Sequence, residues 1–242
     1  MKLFQANIWG GRLPFQIMEA LKSEKPDLIC FQEVISTKGD ALIFTTIEQI
    51  QEGIGLDNSF FSPVFDFNLM NKKAGFGNGI ISRFPFSDTK TEFTRLNHKN
   101  NFDFDTDDYN IRNFQHVTIE LNNKILNLLN HHGHHIHQHK NGDAETLRQC
   151  GEIAKYIDSL DGNVILCGDF NLGPTSDSIN ILNSRLRNLS VEAKLTSTRN
   201  ELTPKNEVCD YIFVSKGINV SKFYMLDKVL SDHNALILEF DL

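Results

Sequence analysis

Apolar runs that stop at a polar residue recur along this chain. Val164-Ile165-Leu166-Cys167 continues unbroken to Gly168, with Asp169 and Asn171 just beyond it. A run of that kind reads as a strand buried on both faces. Residues two apart in extended chain face the same side, so the acid and the amide address one place. Gly173-Pro174 then turns the chain away. A second run, Asp27–Val34, ends at Gln32-Glu33, and Asn7 closes a first one within Lys2–Trp9. Asp210 opens Tyr211–Val214, and Ser231-Asp232-His233 precedes Ala235–Phe240. Each polar end, taken singly, reads equally well as a turn or a solvated strand end. Their recurrence along the whole chain is what an α/β sandwich needs to assemble one site.

Between the strands, Pro14–Glu24 has helical spacing with Ile17, Met18 and Leu21 inward, a proline near its start and Pro26 beyond its end. Ala41–Gln51 repeats the pattern with Leu42, Ile43, Ile47 and Ile50. Strands Phe60–Phe67 and Gly79–Phe84 flank a glycine-bearing loop, Asn71–Asn78, whose Lys72 and Lys73 face either a phosphate or solvent. Asn97–Asn110 has no period and reads as a loop, with Asp103, Asp105, Asp107 and Asp108 solvated. Ile111–Leu121 and Lys124–Asn130 form a hairpin about Asn122-Asn123. Asp143 caps a helix running to Leu160. A short helix, Ser176–Leu186, a polar loop, Ser190–Glu207, and strands Tyr211–Val214, Val220–Leu226 and Ala235–Phe240 complete the chain. Candidate residues spread from Asn7 to His233 argue for one domain over residues 1–242, since any cut would divide the site.

Composition narrows the picture. At 40% hydrophobic and 23% charged, the 242 residues have ample core material, and 19 phenylalanines put aromatic packing into it. The four cysteines lack paired spacing and read as reduced core thiols. No leader and no membrane-spanning run is evident, so a cytoplasmic protein without a transmembrane segment is expected, with a monomer favoured. A net charge of −7 counts against tight, sequence-independent nucleic-acid binding and favours a small or short phosphorylated substrate. Asn130–His139 holds six of the nine histidines. That composition suggests metal binding, yet no spacing in it fits a zinc pair and HExxH is absent.

In order, Asn7, Gln32-Glu33, Asn130-His131-His132-Gly133, Gly168-Asp169-Phe170-Asn171, Asp210-Tyr211 and Ser231-Asp232-His233 make the chain resemble the endonuclease/exonuclease/phosphatase superfamily, as a small bacterial-type member. The resemblance implies a pancreatic deoxyribonuclease-like fold: an α/β four-layer α-β-β-α sandwich of two packed mixed sheets flanked by helices. It implies metal-dependent phosphoester hydrolysis, first of all a phosphodiesterase or nuclease on a nucleic acid or nucleotide-like substrate. By resemblance Glu33 and Asp232 ligate the metal, with Asn7 through its amide oxygen. Asp169 orients or deprotonates the water and Asn171 positions it. His233 and His132 donate to phosphoryl oxygens, and Asp210 holds His233. Hard oxygen ligands point to Mg2+ or Mn2+. The remaining five histidines of the run are read as loop residues, one or two of them near substrate. Arg112 and Arg199 either face phosphate or are structural.

Trp9 stands where the abasic-site repair nucleases carry an acid, which lowers that reading. The alternatives are a sphingomyelinase-type phospholipid hydrolase, a sugar-phosphate hydrolase and a scaffold that has lost catalysis. The phospholipid reading calls for an apolar patch beside the site, and the Phe102–Phe104 loop is its candidate.

Overall fold

Two parallel strand pairs, each joined by a crossover helix, form the frame. The computed structural model describes residues 1–37 and 44–242. Strand β1 (Lys2–Asn7) crosses through α1 (Pro14–Glu24) to a parallel β2 (Leu28–Thr37). Helix α2 (Ile47–Ile54) leads into the hairpin β3 (Asn58–Leu69) and β4 (Lys72–Ser82), and β4 pairs antiparallel with β2. The second sheet begins with β5 (Asp88–Arg95), β6 (Arg112–Leu121) and β7 (Lys124–His132), and α3 (Ala144–Ile157) crosses to a parallel β8 (Asn163–Asp169). Then come α4 (Asp177–Asn183), β9 (Arg187–Asn188), α5 (Leu189–Glu192) and β10 (Asp210–Val214), the last antiparallel to β8. Strands β11 (Asn219–Met225) and β12 (Leu236–Asp241) return to the first sheet. The strand orders are β11-β12-β1-β2-β4-β3 and β5-β6-β7-β8-β10-β9.

Strand periodicity sorts the core into layers. Leu3, Leu28 and Cys30 of the first sheet meet Val117, Leu128, Ile165 and Cys167 of the second between the sheets. Their neighbours Phe4, Ile29 and Phe31 point outward beneath Ile17 and Leu21 of α1. Leu129, Leu166 and Phe213 do the same beneath Cys150 and Ile153 of α3. The result is the α-β-β-α sandwich that the resemblance implied. Helix α1 ends where Lys25 takes a left-handed conformation, and Thr46–Gln49 and Asp143–Thr146 form capping boxes on α2 and α3.

Several elements differ from expectation. The supposed loop Asn71–Asn78 is mostly β4, and the turn is Met70-Asn71, both at positive φ. Its glycines serve strand approach: a Cβ on Gly77 would sit 2.1 Å from the Ser62 carbonyl oxygen. Helix α2 starts at Ile47 rather than Ala41, and Leu42 and Ile43 lie outside the described residues. Strand β5 had no counterpart in the sequence reading. The acids of the 97–110 segment are mostly solvent-exposed, as expected, and three of the four also bond within or beside the segment. Asp103 accepts from the Asp105 amide and the Thr106 hydroxyl, Asp107 from the Asp103 amide, and Asp108 pairs with Arg95. All four cysteines are free and buried. No helix among the described residues is long and apolar enough to cross a membrane.

Strands β1, β7 and β8 deliver Asn7, His132 and Asp169 from their C-terminal ends to one end of the sandwich, and β2 presents Gln32-Glu33 there at the end of its pairing with β1, before it continues along β4. Just beneath, a chain of buried amides joins the sheets. Gln5 Nε2 donates to Gln32 Oε1 (2.9 Å), Gln32 Nε2 to Asn130 Oδ1 (2.6 Å) and Asn130 Nδ2 to Gln115 Oε1 (3.0 Å). Apart from Gln5 Oε1, which is buried without a partner, the amide groups of this layer are hydrogen-bonded to one another or to backbone, and they tie one sheet to the other at the site.

Candidate active site

Three strained residues shape the site. Glu33 (φ 54) sits in the irregularity where β2 shifts register against β4 between Phe31 and Val34, which re-aims its carboxylate. Trp9 (φ 51) and Asn171 (φ 56) are also left-handed, and all three line one pocket of about 180 Å³. Strain of this kind persists where surrounding structure enforces it, typically at functional sites. Gly168 is needed just before Asp169: a Cβ there would lie 1.8 Å from the His131 carbonyl oxygen.

Asp169, Asn171, His132, His233, Asp232 and Glu33 all line this pocket. Asp169 Oδ1 accepts the Asn171 backbone N–H (2.9 Å), and its Oδ2 lies 3.5 Å from His233 Nε2 and 3.8 Å from His132 Nε2. His233 Nδ1 donates to Asp210 Oδ2 at 2.8 Å. Asp210 is fully buried behind it, and its carboxylate also accepts from the Thr198 hydroxyl (2.6 Å) and Gln5 Nε2 (3.4 Å). The Ser231 hydroxyl donates to the Asn7 carbonyl (2.5 Å) and its oxygen accepts the His233 N–H (3.0 Å), tying the last loop to β1.

Asn7 is oriented by chemistry. Its Oδ1 accepts the Trp9 N–H (3.1 Å), so its amide nitrogen faces Glu33 Oε1 (3.1 Å) and Asp169 Oδ2 (3.2 Å). In this arrangement it braces two carboxylates and does not present its oxygen to a cation, unlike the ligand role implied by resemblance. Asp232 accepts from Arg199 (2.9 Å), whose guanidinium also meets His233 Nε2.

The two histidines are set apart electrostatically. Burial opposes charge on His233, but Asp210 and Asp169 outweigh it and raise its pKa above the ordinary imidazole value. Burial and the nearby Arg112 push His132 far below it, so that ring is neutral. Burial would lift Asp169, yet His233 and Arg199 hold it far below the usual carboxylate range. Glu33, with burial dominant, is raised. One histidine biased toward its charged form, one neutral imidazole and one firmly ionised carboxylate therefore face a single cavity.

Some placements were not legible in advance. His131 is no loop residue: it lies in β7, buried, with Nδ1 3.1 Å from the Asn113 carbonyl oxygen, and burial lowers its pKa to about 4. His135 lies in the loop after β7 and lines the pocket, as expected for one or two of the loop histidines. Arg112 and Arg199 line it too, but Arg112 is pinned by the Gly133 (2.7 Å) and Tyr109 (2.9 Å) carbonyls. Lys72 is exposed and Lys73 pairs with Asp66. Gln5, Thr198 and Lys140 were missed. Lys140 Nζ holds Asn171 Oδ1 at 3.0 Å. Gln5 alone had a signal, being two residues before Asn7 on the same strand face.

The donor set fits a hard divalent cation. Glu33 faces the pocket with no lysine or arginine within ion-pair distance among the described residues, and its one such neighbour, His132, is neutral and 3.8 Å away. Asp169, Asp210 and His233 also offer ligand atoms within 4.8 Å of one another. Asp210 and His233 are paired with each other and Asp232 with Arg199, so Glu33 and Asp169 are the pocket carboxylates without a lysine or arginine at ion-pair distance among the described residues.

Acids, amides and histidines from the ends of strands in both sheets thus meet in one polar pocket of a two-sheet α/β sandwich. The chain belongs to the endonuclease/exonuclease/phosphatase family, whose model matches residues 4–233. Members of this family are hydrolases of phosphoesters. Among solved structures, it is similar to a family protein of Leptotrichia buccalis C-1013-b (17% identity, TM-score 0.73, all of both chains covered). It is also similar to a mannosyl-6-phosphatase of Bacteroides thetaiotaomicron VPI-5482 (16%, 0.68, all of both chains). The human Nocturnin catalytic domain with bound sulfate is a third (19%, 0.72, all of this chain and 93% of that one). Among curated proteins, none matches by sequence.

Proposed function

We propose that this pocket hydrolyses a phosphoester, with a diester favoured, using a bound magnesium or manganese ion. The observation that carries the reading is the convergence of Asp169, the His233–Asp210 pair, His132 and Glu33 on one cavity, from both sheets. Glu33 and Asp232 would hold the ion, which neutralises charge on phosphoryl oxygens. Asp169, kept ionised, accepts a hydrogen bond from the attacking water and takes its proton. Asn171, fixed by Asp169 and Lys140, positions that water. His233 donates from Nε2 to a phosphoryl oxygen as negative charge develops, and Asp210 holds the ring in that orientation. Arg199 and the exposed Lys205 add positive charge around the pocket. The intact acid and histidine set argues against a scaffold that has lost catalysis.

The test is hydrolysis of bis-(p-nitrophenyl) phosphate and p-nitrophenyl phosphate with magnesium or manganese. Diester turnover that stops with chelator and returns with metal is expected. Monoester turnover alone would make the protein a phosphatase, and metal-independent turnover would sink the proposed chemistry.

A further inference from the structure

A second cavity opens beside the catalytic pocket. It is larger, about 420 Å³, and the two share Trp9 and Glu33 as lining residues. Phe65, Phe67, Leu69 and Phe76 of the β3–β4 hairpin form one wall, and Phe104 and Tyr109 of the 97–110 segment form another. The hairpin and that segment are locked together. Lys99 N–H donates to Val64 (3.1 Å), Phe102 N–H donates to Asp66 (2.7 Å), and Phe65 stacks on Phe102 with centroids 3.9 Å apart. Phe67 packs edge-on against Phe104 at 5.4 Å.

This wall is more than spare core. Phe104 is 48% exposed, Tyr109 52% and Met70, at the hairpin turn, 59%. Large apolar side chains left in water and gathered round a groove mark a binding surface. Polar atoms in the described lining are few. The Tyr109 hydroxyl donates to the Phe104 carbonyl (2.9 Å), the Arg12 guanidinium lies over the Trp9 ring at 4.3 Å, and Glu33 belongs to the site. Reading the edges of a nucleobase takes several free donors and acceptors, and binding a nucleic-acid backbone takes surplus positive charge. The groove has few of the former, and the chain, at −7, lacks the latter.

We infer that the phosphoester held in the catalytic pocket carries an apolar alkyl or aryl group, and that this group lies in the aromatic groove on the far side of Trp9 and Glu33. The inference rests on the phosphoester reading for the polar half of the ligand. It turns the expectation of a nucleotide-like substrate toward an ester of an apolar alcohol. The position of Trp9 fits the same picture, since an indole there supplies a wall between a polar and an apolar chamber.

Trp9 is the one tryptophan in the chain, so its fluorescence reports groove occupancy without any turnover. With magnesium present, the wild type is titrated with methylphosphonate, octylphosphonate and 1-naphthylphosphonate, none of which is hydrolysed. Leu69→Asp and Phe104→Asp are compared after their thermal midpoints show that they fold. Octyl or naphthyl binding about 100-fold tighter than methyl is expected, a fraction of the gain from fully burying seven methylenes. In both variants that ratio should collapse toward one. The tighter of the two long ligands identifies the group as alkyl or aryl. Equal affinity for all three in the wild type overturns the inference and leaves the phosphoester site standing. Octyl binding that depends on Leu69 and Phe104, with no methylphosphonate binding, leaves the groove standing and removes the phosphate site. No binding of any ligand removes both.

Discussion

Asp169→Asn is expected to lower turnover about 10⁴-fold with the fold intact. A positioned general base contributes up to about 10⁴-fold, which corresponds to about 5 kcal/mol of barrier. The substitution is conservative in packing: the remaining oxygen can still accept the Asn171 N–H that Asp169 Oδ1 receives at 2.9 Å. What is lost is the charge that faces His233 and His132 and the capacity to take a proton from water. The thermal midpoint should fall, since the new amide nitrogen faces Asn7 Nδ2 and the charge held by His233 and Arg199 is gone, but the protein stays folded while kcat falls and KM stays within a few-fold. A variant with more than a tenth of wild-type turnover would remove Asp169 from the reaction.

The second large effect is Asp210→Asn, expected to cost about 10³-fold in turnover. Both oxygens of Asp210 are acceptors, one for Gln5 and the other for Thr198 and His233. An amide must turn its NH2 toward one of these donors. Facing His233, it leaves Nδ1 unprotonated and selects the tautomer that puts the hydrogen on Nε2 of an uncharged ring. Facing Gln5, it opposes an amide nitrogen already committed to Gln32 Oε1. In either case His233 loses the negative partner that raises its pKa, and with it the bias toward the charged ring that favours donation to the phosphoryl group. Circular dichroism and thermal unfolding, measured beside turnover, separate this from a folding defect. Turnover equal to wild type would reduce Asp210 to a structural acid.

The parts of the site legible in the sequence are those that interrupt or end an apolar run, although β2 continues past Glu33 to Thr37. Glu33, Asp169 and His132 each follow a buried run, because a strand must emerge from the core to present a polar group. Helix α1 was legible because Pro14 and Pro26 bracket its apolar spacing. Less visible was whatever depends on two distant strands meeting. Gln5, Gln32, Asn130 and Gln115 look like solvent-facing strand positions until the sandwich closes and pairs them. The glycines of β4 read as a loop since the sequence does not show Ser62 crossing beside Gly77. Strand β5, with five polar residues in Asp88–Glu92, has no buried run to mark it and is held by pairing with β6. The left-handed turns at Trp9 and Glu33 are enforced by tertiary packing, against the intrinsic preference of both residues.

Binding of manganese, followed by calorimetry in the wild type and in Glu33→Gln, tests the central claim most directly. Glu33 faces the pocket without a lysine or arginine partner among the described residues, and an amide in its place removes the charge while keeping the shape. The account predicts saturable binding in the wild type, weakened on the order of 100-fold in the variant, in line with losses seen when a metal site's ligand shell is altered. Equal affinity in the two proteins, or no saturable binding in the wild type, would contradict it.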